Sequence, residues 1–416
     1  MKILRHYQGL RRENYVLFLG RIVTNLGSMV WPVLTLILTR KMGMTATEAA
    51  VVMIISGIVL VPVGLLGGKL ADKYNKKFCI IYCDIVSIAM YLISAFIPLG
   101  YGTIALIVVA AACQSMEHPA YNALIADITY TRDRERAYSL QYLGSNIGLV
   151  ASPVIAGFLF EKYLWLAFLI SGIAIAISTV LIYLLVQNIE PVREEGAGQQ
   201  YQYQKNCEHE KLSQILKKNK IVLLYLFVIS FYYGAYLQYS YLLPLDMVRC
   251  HGDKGAVIYG SVSSLNCVVV VLFTPIFTRI FRKKTLTGKT FAGNLLVLAG
   301  YLSFLLFLGK VPVYYAAIVL FTFGEILTTI ANGPYLAERV PASHRGRING
   351  LMALIQSLMQ GICLITAGPL YDRLSPTAAW IFVLAILSIS TIGSAAIIVW
   401  DRRAYVHMYQ KSEKHN

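Results

Sequence analysis

The chain has 416 residues, 57% of them hydrophobic and 14% charged, with a net charge of +16. The charges cluster in short blocks between apolar runs of roughly 20–26 residues, the length that crosses a hydrocarbon core. That pattern excludes a soluble multidomain protein with polar surfaces, and it assigns the positive excess to basic cytoplasmic loops instead of a nucleic-acid surface.

In chain order the apolar runs predict helices at 14–39, 46–69, 77–99, 102–127, 136–160, 163–187, 220–245, 255–280, 288–309, 311–337, 345–370 and 376–400. With the N-terminus inside, the cytoplasmic segments carry 29 Lys and Arg and the outer segments 7, with Arg21 within the first helix. This asymmetry places both termini in the cytoplasm of a multi-pass protein of the cell membrane. The first apolar run is too long for a cleaved signal, contains Arg21 and lacks a small-residue cleavage site. The 7 cysteines form no disulfide framework and read as small apolar packing residues; Cys250 is the one placed outside.

A polar segment at 188–219 divides a six-helix bundle at 1–187 from a second at 220–416, and reads as a cytoplasmic linker. The two bundles resemble each other at an offset of 211 residues. Asp127, Arg134 and Arg136 match Glu338, Arg345 and Arg347, and the run from Ala156 to Glu161 matches that from Ala367 to Asp372. Duplicated six-helix halves mark a transporter with a central site.

The segment Gly68-Lys69-Leu70-Ala71-Asp72-Lys73-Tyr74-Asn75-Lys76-Lys77 resembles the signature loop of the major facilitator superfamily, with Asn75 where that family has glycine. Helix count, linker and repeat agree with it along the whole chain. The resemblance implies an all-α membrane protein of the major-facilitator fold, with two pseudo-symmetric bundles. It also implies a latch between the halves built from Gly68, Asp72, Lys73, Lys76, Arg134 and Arg136, in which Asp72 meets the positive N-terminal end of the helix starting near Arg345. A second segment, Gly148 to Gly157 with Ser152 and Pro153, resembles the antiporter motif of the fifth helix, with Ser152 and Ala156 replacing glycines. The phrase Gly324-Glu325-Ile326-Leu327 followed by Arg345-Gly346-Arg347 resembles the twelve-helix drug:proton antiporters. The arginine usual in the family's fourth helix is missing, and Arg21 is the substitute on offer.

Ionisable groups at mid-membrane are costly and therefore functional candidates. Glu117 and Glu325 each lie about 20 Å from the outer end of their helix at ~1.5 Å per residue. With Asp84 they form the proton-coupling set, Glu325 as main carrier and Glu117 as substrate-sensing partner; a structurally paired carboxylate is the competing reading. Asp84 and Arg21 are candidates for an ion pair, static or changing between states, and His118 beside Glu117 reads first as an ordinary helix residue. Arg21, Asn25, Tyr121, Tyr232, Tyr236, Gln238, Asn332 and Gln356 are the candidate lining of a substrate cavity suited to amphiphilic cations. The tyrosine stripe reads more readily as helix packing.

Gly288-Lys289-Thr290 mimics the end of a phosphate loop, but Lys283 stands where its first glycine belongs, so ATP is not expected. No cofactor or metal is implied. The expectation is a monomeric secondary transporter working by alternating access, exporting drugs or amphiphilic metabolites against protons. Import of a nutrient by a facilitator or symporter is the alternative, and a membrane-embedded enzyme or channel the remote one.

Overall fold

The structure, a computed structural model, describes residues 8–129, 133–186, 216–217, 219–340 and 345–405. The long helices are α1 (Arg12–Leu26), α2 (Ala46–Lys73), α3 (Lys76–Phe96), α4 (Tyr101–Asp127), α5 (Arg134–Phe160) and α6 (Leu164–Leu185). They continue as α7 (Lys220–His251), α8 (Lys254–Ile280), α9 (Leu286–Leu306), α10 (Val311–Arg339), α11 (Arg345–Pro369) and α12 (Pro376–Ala404). Most of the linker at 188–219 lies outside the described residues. Side-chain caps fix several helix starts. Asn75 accepts from Lys77 N at 3.0 Å to begin α3, and Thr285 and Ser375 each accept a backbone N–H at 3.1 Å to begin α9 and α12. Thr285 thus explains the false phosphate loop, since the N–H of Gly288 serves a helix cap.

The first predicted helix is not continuous. α1 stops at Leu26, and the chain reaches Lys41 through a 3-10 turn at Trp31–Val33, a single α-turn at Leu34–Leu36 and a π-turn at Ile37–Lys41. Two residues account for the break. Pro32 has no N–H to give to the helix, and a Cβ on Gly27 would collide with Ala174 on α6, so the backbone comes in closer than a standard helix residue allows. Gly43, at φ 73°, then turns the chain into α2.

Eleven of these helical spans are long and apolar enough to cross a membrane. α4 is the exception, because Gln114, Glu117, His118, Pro119 and Asn122 interrupt its apolar run. Side chains such as Ile58, Leu184 and Ile392 are 66–70% exposed, as lipid-facing residues must be.

Contacts divide the chain into two compact units. The first comprises Met1–Met44, Val52–Glu195 and Met247–Val271, the second Thr45–Val51, Gly196–Asp246 and Leu272–Asn416. Within the first, α3 packs on α4 and α6; within the second, α9 packs on α10 and α12. The same neighbours recur six helices apart, as a duplicated bundle requires. The first unit buries Leu17, Ile80, Ile125, Ile128 and Ala137 together. The second is built around Trp380, which meets Tyr301 and Phe304.

Candidate functional site

In the first unit, α1, α3, α4 and α6 enclose a cavity of about 200 Å³. Arg21, Thr24 and Asn25 line it from α1 and Ser28 from just past its end, Asp84 and Tyr91 from α3, Gln114, Glu117, His118 and Tyr121 from α4, and Ser171, Ile175 and Ser178 from α6. Helical periodicity brings Gln114, Glu117, His118 and Tyr121 to one side of α4. The Thr179 hydroxyl donates to Asp84 Oδ2 at 2.7 Å, and the Asp84 and Glu117 carboxyls line the same cavity. The Arg21 guanidinium stacks over the Tyr121 ring at 4.0 Å, and the Tyr121 hydroxyl donates to Leu17 O at 2.8 Å. Asn25 Nδ2 donates to Arg21 O at 2.8 Å.

The direct Asp84–Arg21 pair expected from sequence is therefore not what forms. Asp84 accepts from Thr179, while Arg21 lies over the Tyr121 ring and shares the cavity with both carboxyls. Sequence reasoning missed the acid pair because Asp84 and Glu117 lie on different helices, whose relative rotation no periodicity reveals.

In the second unit Glu325 is partly exposed, and its Oε1 accepts from the Tyr236 hydroxyl at 2.9 Å. Tyr236 stacks on Phe321 and lies near Tyr232 and Tyr233; Tyr239 stacks on Phe321 from another side. Asn332 bridges Tyr233 to a further tyrosine, accepting from Tyr225 at 3.2 Å and donating to Tyr233 at 3.4 Å. Of the candidate cavity residues, Tyr232 (2% exposed) and Gln238 (0%) sit in the packed interior, whereas Tyr236 and Gln356 are half-buried. The tyrosine stripe of α7 thus serves largely as packing, with Tyr236 reaching the carboxylate.

Of the latch residues, Lys76 pairs with Asp127 at 2.8 Å, joining the start of α3 to the end of α4. Arg136 donates to Asp133 at 2.9 Å and to Gln8 O at 2.6 Å. Lys73 is exposed with its ammonium 5.4 Å from the Tyr74 ring centroid, and Gly68 has open space around it. The side chains of Asp72, Arg134, Glu338, Arg345 and Arg347 lie outside the described residues. The antiporter-like segment is a packing device. Gly148 lets α5 touch the Ile22 carbonyl and Asn25 of α1, and Gly157 and the Pro153 carbonyl meet Ala256 and Gly260 of α8. Ser152 is fully buried.

Three carboxylates escaped the sequence reading. Asp246 is buried and accepts from Tyr371 at 3.2 Å and from the Trp380 indole. Asp401 forms a buried two-pronged pair with Arg339, at 2.8 and 2.6 Å, and accepts from Tyr335 at 3.0 Å. Asp372 caps the first turn of α2, accepting from Ala46 N at 3.1 Å, Thr47 N at 2.7 Å and Thr47 Oγ1 at 2.6 Å. Its repeat mate Glu161 instead binds Lys41 at 3.1 Å.

Lipid-exposed helices in a duplicated six-helix pattern, with carboxyl groups inside each repeat, define a multi-pass membrane transporter. The family model of the Major Facilitator Superfamily matches residues 17–364, and the chain belongs to that superfamily. It is 23% identical to the uncharacterized MFS-type transporter YqjV of Bacillus subtilis, covering 95% of this chain and 93% of that one. It is 24% identical to a Na(+), Li(+), K(+)/H(+) antiporter of Planococcus maritimus (92% and 93% covered) and to the quinolone resistance protein NorA of Staphylococcus aureus (87% and 91% covered). A crystal structure of the peptide transporter POT in complex with sulfate superposes with a TM-score of 0.78 at 16% identity, over 95% of both chains, which shows the fold.

Proposed function

We propose that the chain is a proton-coupled exporter of amphiphilic or cationic small molecules in the cell membrane. In this reading it acts as a monomer by alternating access, with both termini cytoplasmic. The observation that carries the reading is Glu325, a carboxylate that accepts from the Tyr236 phenol among aromatic rings. Such a group takes either a proton or an organic cation, whose charge the carboxylate balances and whose apolar body the rings accept. Proton and substrate then compete for one negative charge, which is the thermodynamic basis of exchange. The drug-resistance and antiporter relatives support this direction of transport.

The test is uptake of a labelled lipophilic cation into inside-out vesicles under an imposed pH gradient. Wild type should concentrate the cation, and Glu325→Gln, which mimics the protonated form, should not, while gradient-free exchange persists. Undiminished accumulation by the variant would remove Glu325 as coupling site. Accumulation in the direction of proton flow would favour the import reading. For orientation, Cys250 is exposed and should react with a membrane-impermeant maleimide in intact cells; labelling only after permeabilisation would invert the topology.

A further inference from the structure

The cavity of the first unit has a property that the Glu325 reading does not use. Its fixed charges are one guanidinium, Arg21, and two carboxyls, Asp84 and Glu117. With one proton held on either carboxyl the cavity is neutral. Without it, one negative charge remains in a low-dielectric interior, where an unbalanced charge is costly. A single positive charge restores neutrality, and a divalent ion would overshoot by one.

Size and chemistry narrow the occupant further. About 200 Å³ falls below the roughly 300–1,000 Å³ of sites that hold drug-sized molecules. It suffices for a small ion with a few waters, each filling ~30 Å³. The cavity's uncharged polar lining carries oxygens, among them the hydroxyls of Ser28 and Ser178 and the amide groups of Asn25 and Gln114. Oxygen ligands suit hard cations. Among the described residues no group of three His, Cys, Asp or Glu side chains is placed to hold a transition metal.

We infer that this cavity is an alkali-cation/proton exchange site, in which one Na⁺, Li⁺ or K⁺ ion and one proton compete for the Asp84–Glu117 carboxyl pair. Arg21 sets the count at one by cancelling the second carboxylate. The other titratable groups facing the pair are His118, Tyr121 and Cys113 on α4 and Cys83 and Tyr91 on α3; α6 contributes hydroxyls. The exchange balances as written: one cation enters, one O–H bond of the pair breaks, and the proton leaves to water. The site is separate from Glu325, so either can fail without the other.

The full-length chain, purified in detergent in weakly buffered solution with a pH indicator, receives NaCl, LiCl or KCl, with N-methylglucamine chloride as control. At least one alkali salt should release about one proton per chain, and the half-saturating concentration should rise about tenfold for each unit of pH lowered. Asp84→Asn and Glu117→Gln should abolish release, and Glu325→Gln should retain it. The inference is overturned if no alkali salt exceeds the control in wild type. It is equally overturned if release survives in both first-unit variants or disappears in Glu325→Gln. Should the neutral variants fail to fold, equilibrium binding of radioactive sodium, potassium and lithium's competition against them decides on wild type alone. Binding that weakens about tenfold per unit of pH lowered supports the site, and pH-independent binding, or none, overturns it.

Discussion

Glu117 and Glu325 stand on α4 and α10, corresponding helices of the two repeats, yet they live in opposite surroundings. Glu117 shares a polar cavity with a second acid and a guanidinium. Glu325 has a phenol for a neighbour and aromatic rings beyond it. At the 211-residue offset they are not even mates: Glu117 corresponds to Thr328, and Glu325 to Gln114. Each repeat therefore acquired its acid about one helical turn away from the other's. The lesson is that duplication preserved the helix and its depth in the membrane, while the ionisable position was set separately in each half.

The contrast extends to the remaining charges. The second repeat seals the Arg339–Asp401 pair at 3% and 0% side-chain exposure, whereas the first keeps Arg21, Asp84 and Glu117 on a cavity wall. If that sealing is structural, Arg339→Met should remove the counter-charge of a buried carboxylate and cost ~3–5 kcal/mol. Thermal unfolding in detergent would show it, and an unchanged midpoint would mean that the second repeat compensates Asp401 by other means.

A smaller effect separates the two repeats at the crossing of their first and fifth helices. In the first, Gly148 on α5 admits α1; in the second, the mate is Met359 on α11, which presses on Gly234 of α7. The small residue has changed helices. Gly148→Val should cost ~1–3 kcal/mol by overpacking against Asn25 and the α1 backbone. Gly68→Val, with nothing within 4 Å of its Cβ, should stay within about 0.5 kcal/mol. Equal losses in the two variants would break this account.

The smallest effect concerns the signature loop. Lys76 is already satisfied by Asp127 in its own repeat, so Asp72 is the loop's candidate for a contact with a helix end. A carboxylate at a helix N-terminus contributes ~0.3–1 kcal/mol, so Asp72→Asn should slow transport about two- to fivefold at normal expression. A full rate in vesicles would remove the latch.

What the sequence made legible was local. Apolar run length is a property of consecutive residues, so the long helices and the duplicated plan could be read directly. Helix ends were harder, and the missed acids follow from that. Ending the seventh helix at 245 and the twelfth at 400 left Asp246 and Asp401 looking like loop residues. The structure extends α7 to His251 and α12 to Ala404, which draws both carboxylates into the interior. The break after Leu26 was hidden because Gly27 acts through Ala174, a contact far away in sequence. Mid-helix Glu117 and Glu325 were legible as unusual, but their partners Asp84 and Tyr236 depend on how neighbouring helices are rotated.

The interrupted apolar run of α4 bears on how the protein is made. A helix carrying Gln114, Glu117, His118 and Asn122 is a poor candidate to leave the translocon by itself, since one charged residue at the centre of a span costs ~2.5–3.5 kcal/mol on the insertion scale. α3 precedes it immediately, is apolar enough to insert alone, and carries Asp84, which lines the same cavity as Glu117. Biogenesis should therefore release α3 and α4 as one hairpin, with the two carboxyls already brought together, so that the group serving exchange in the mature protein also carries the fourth helix into the bilayer.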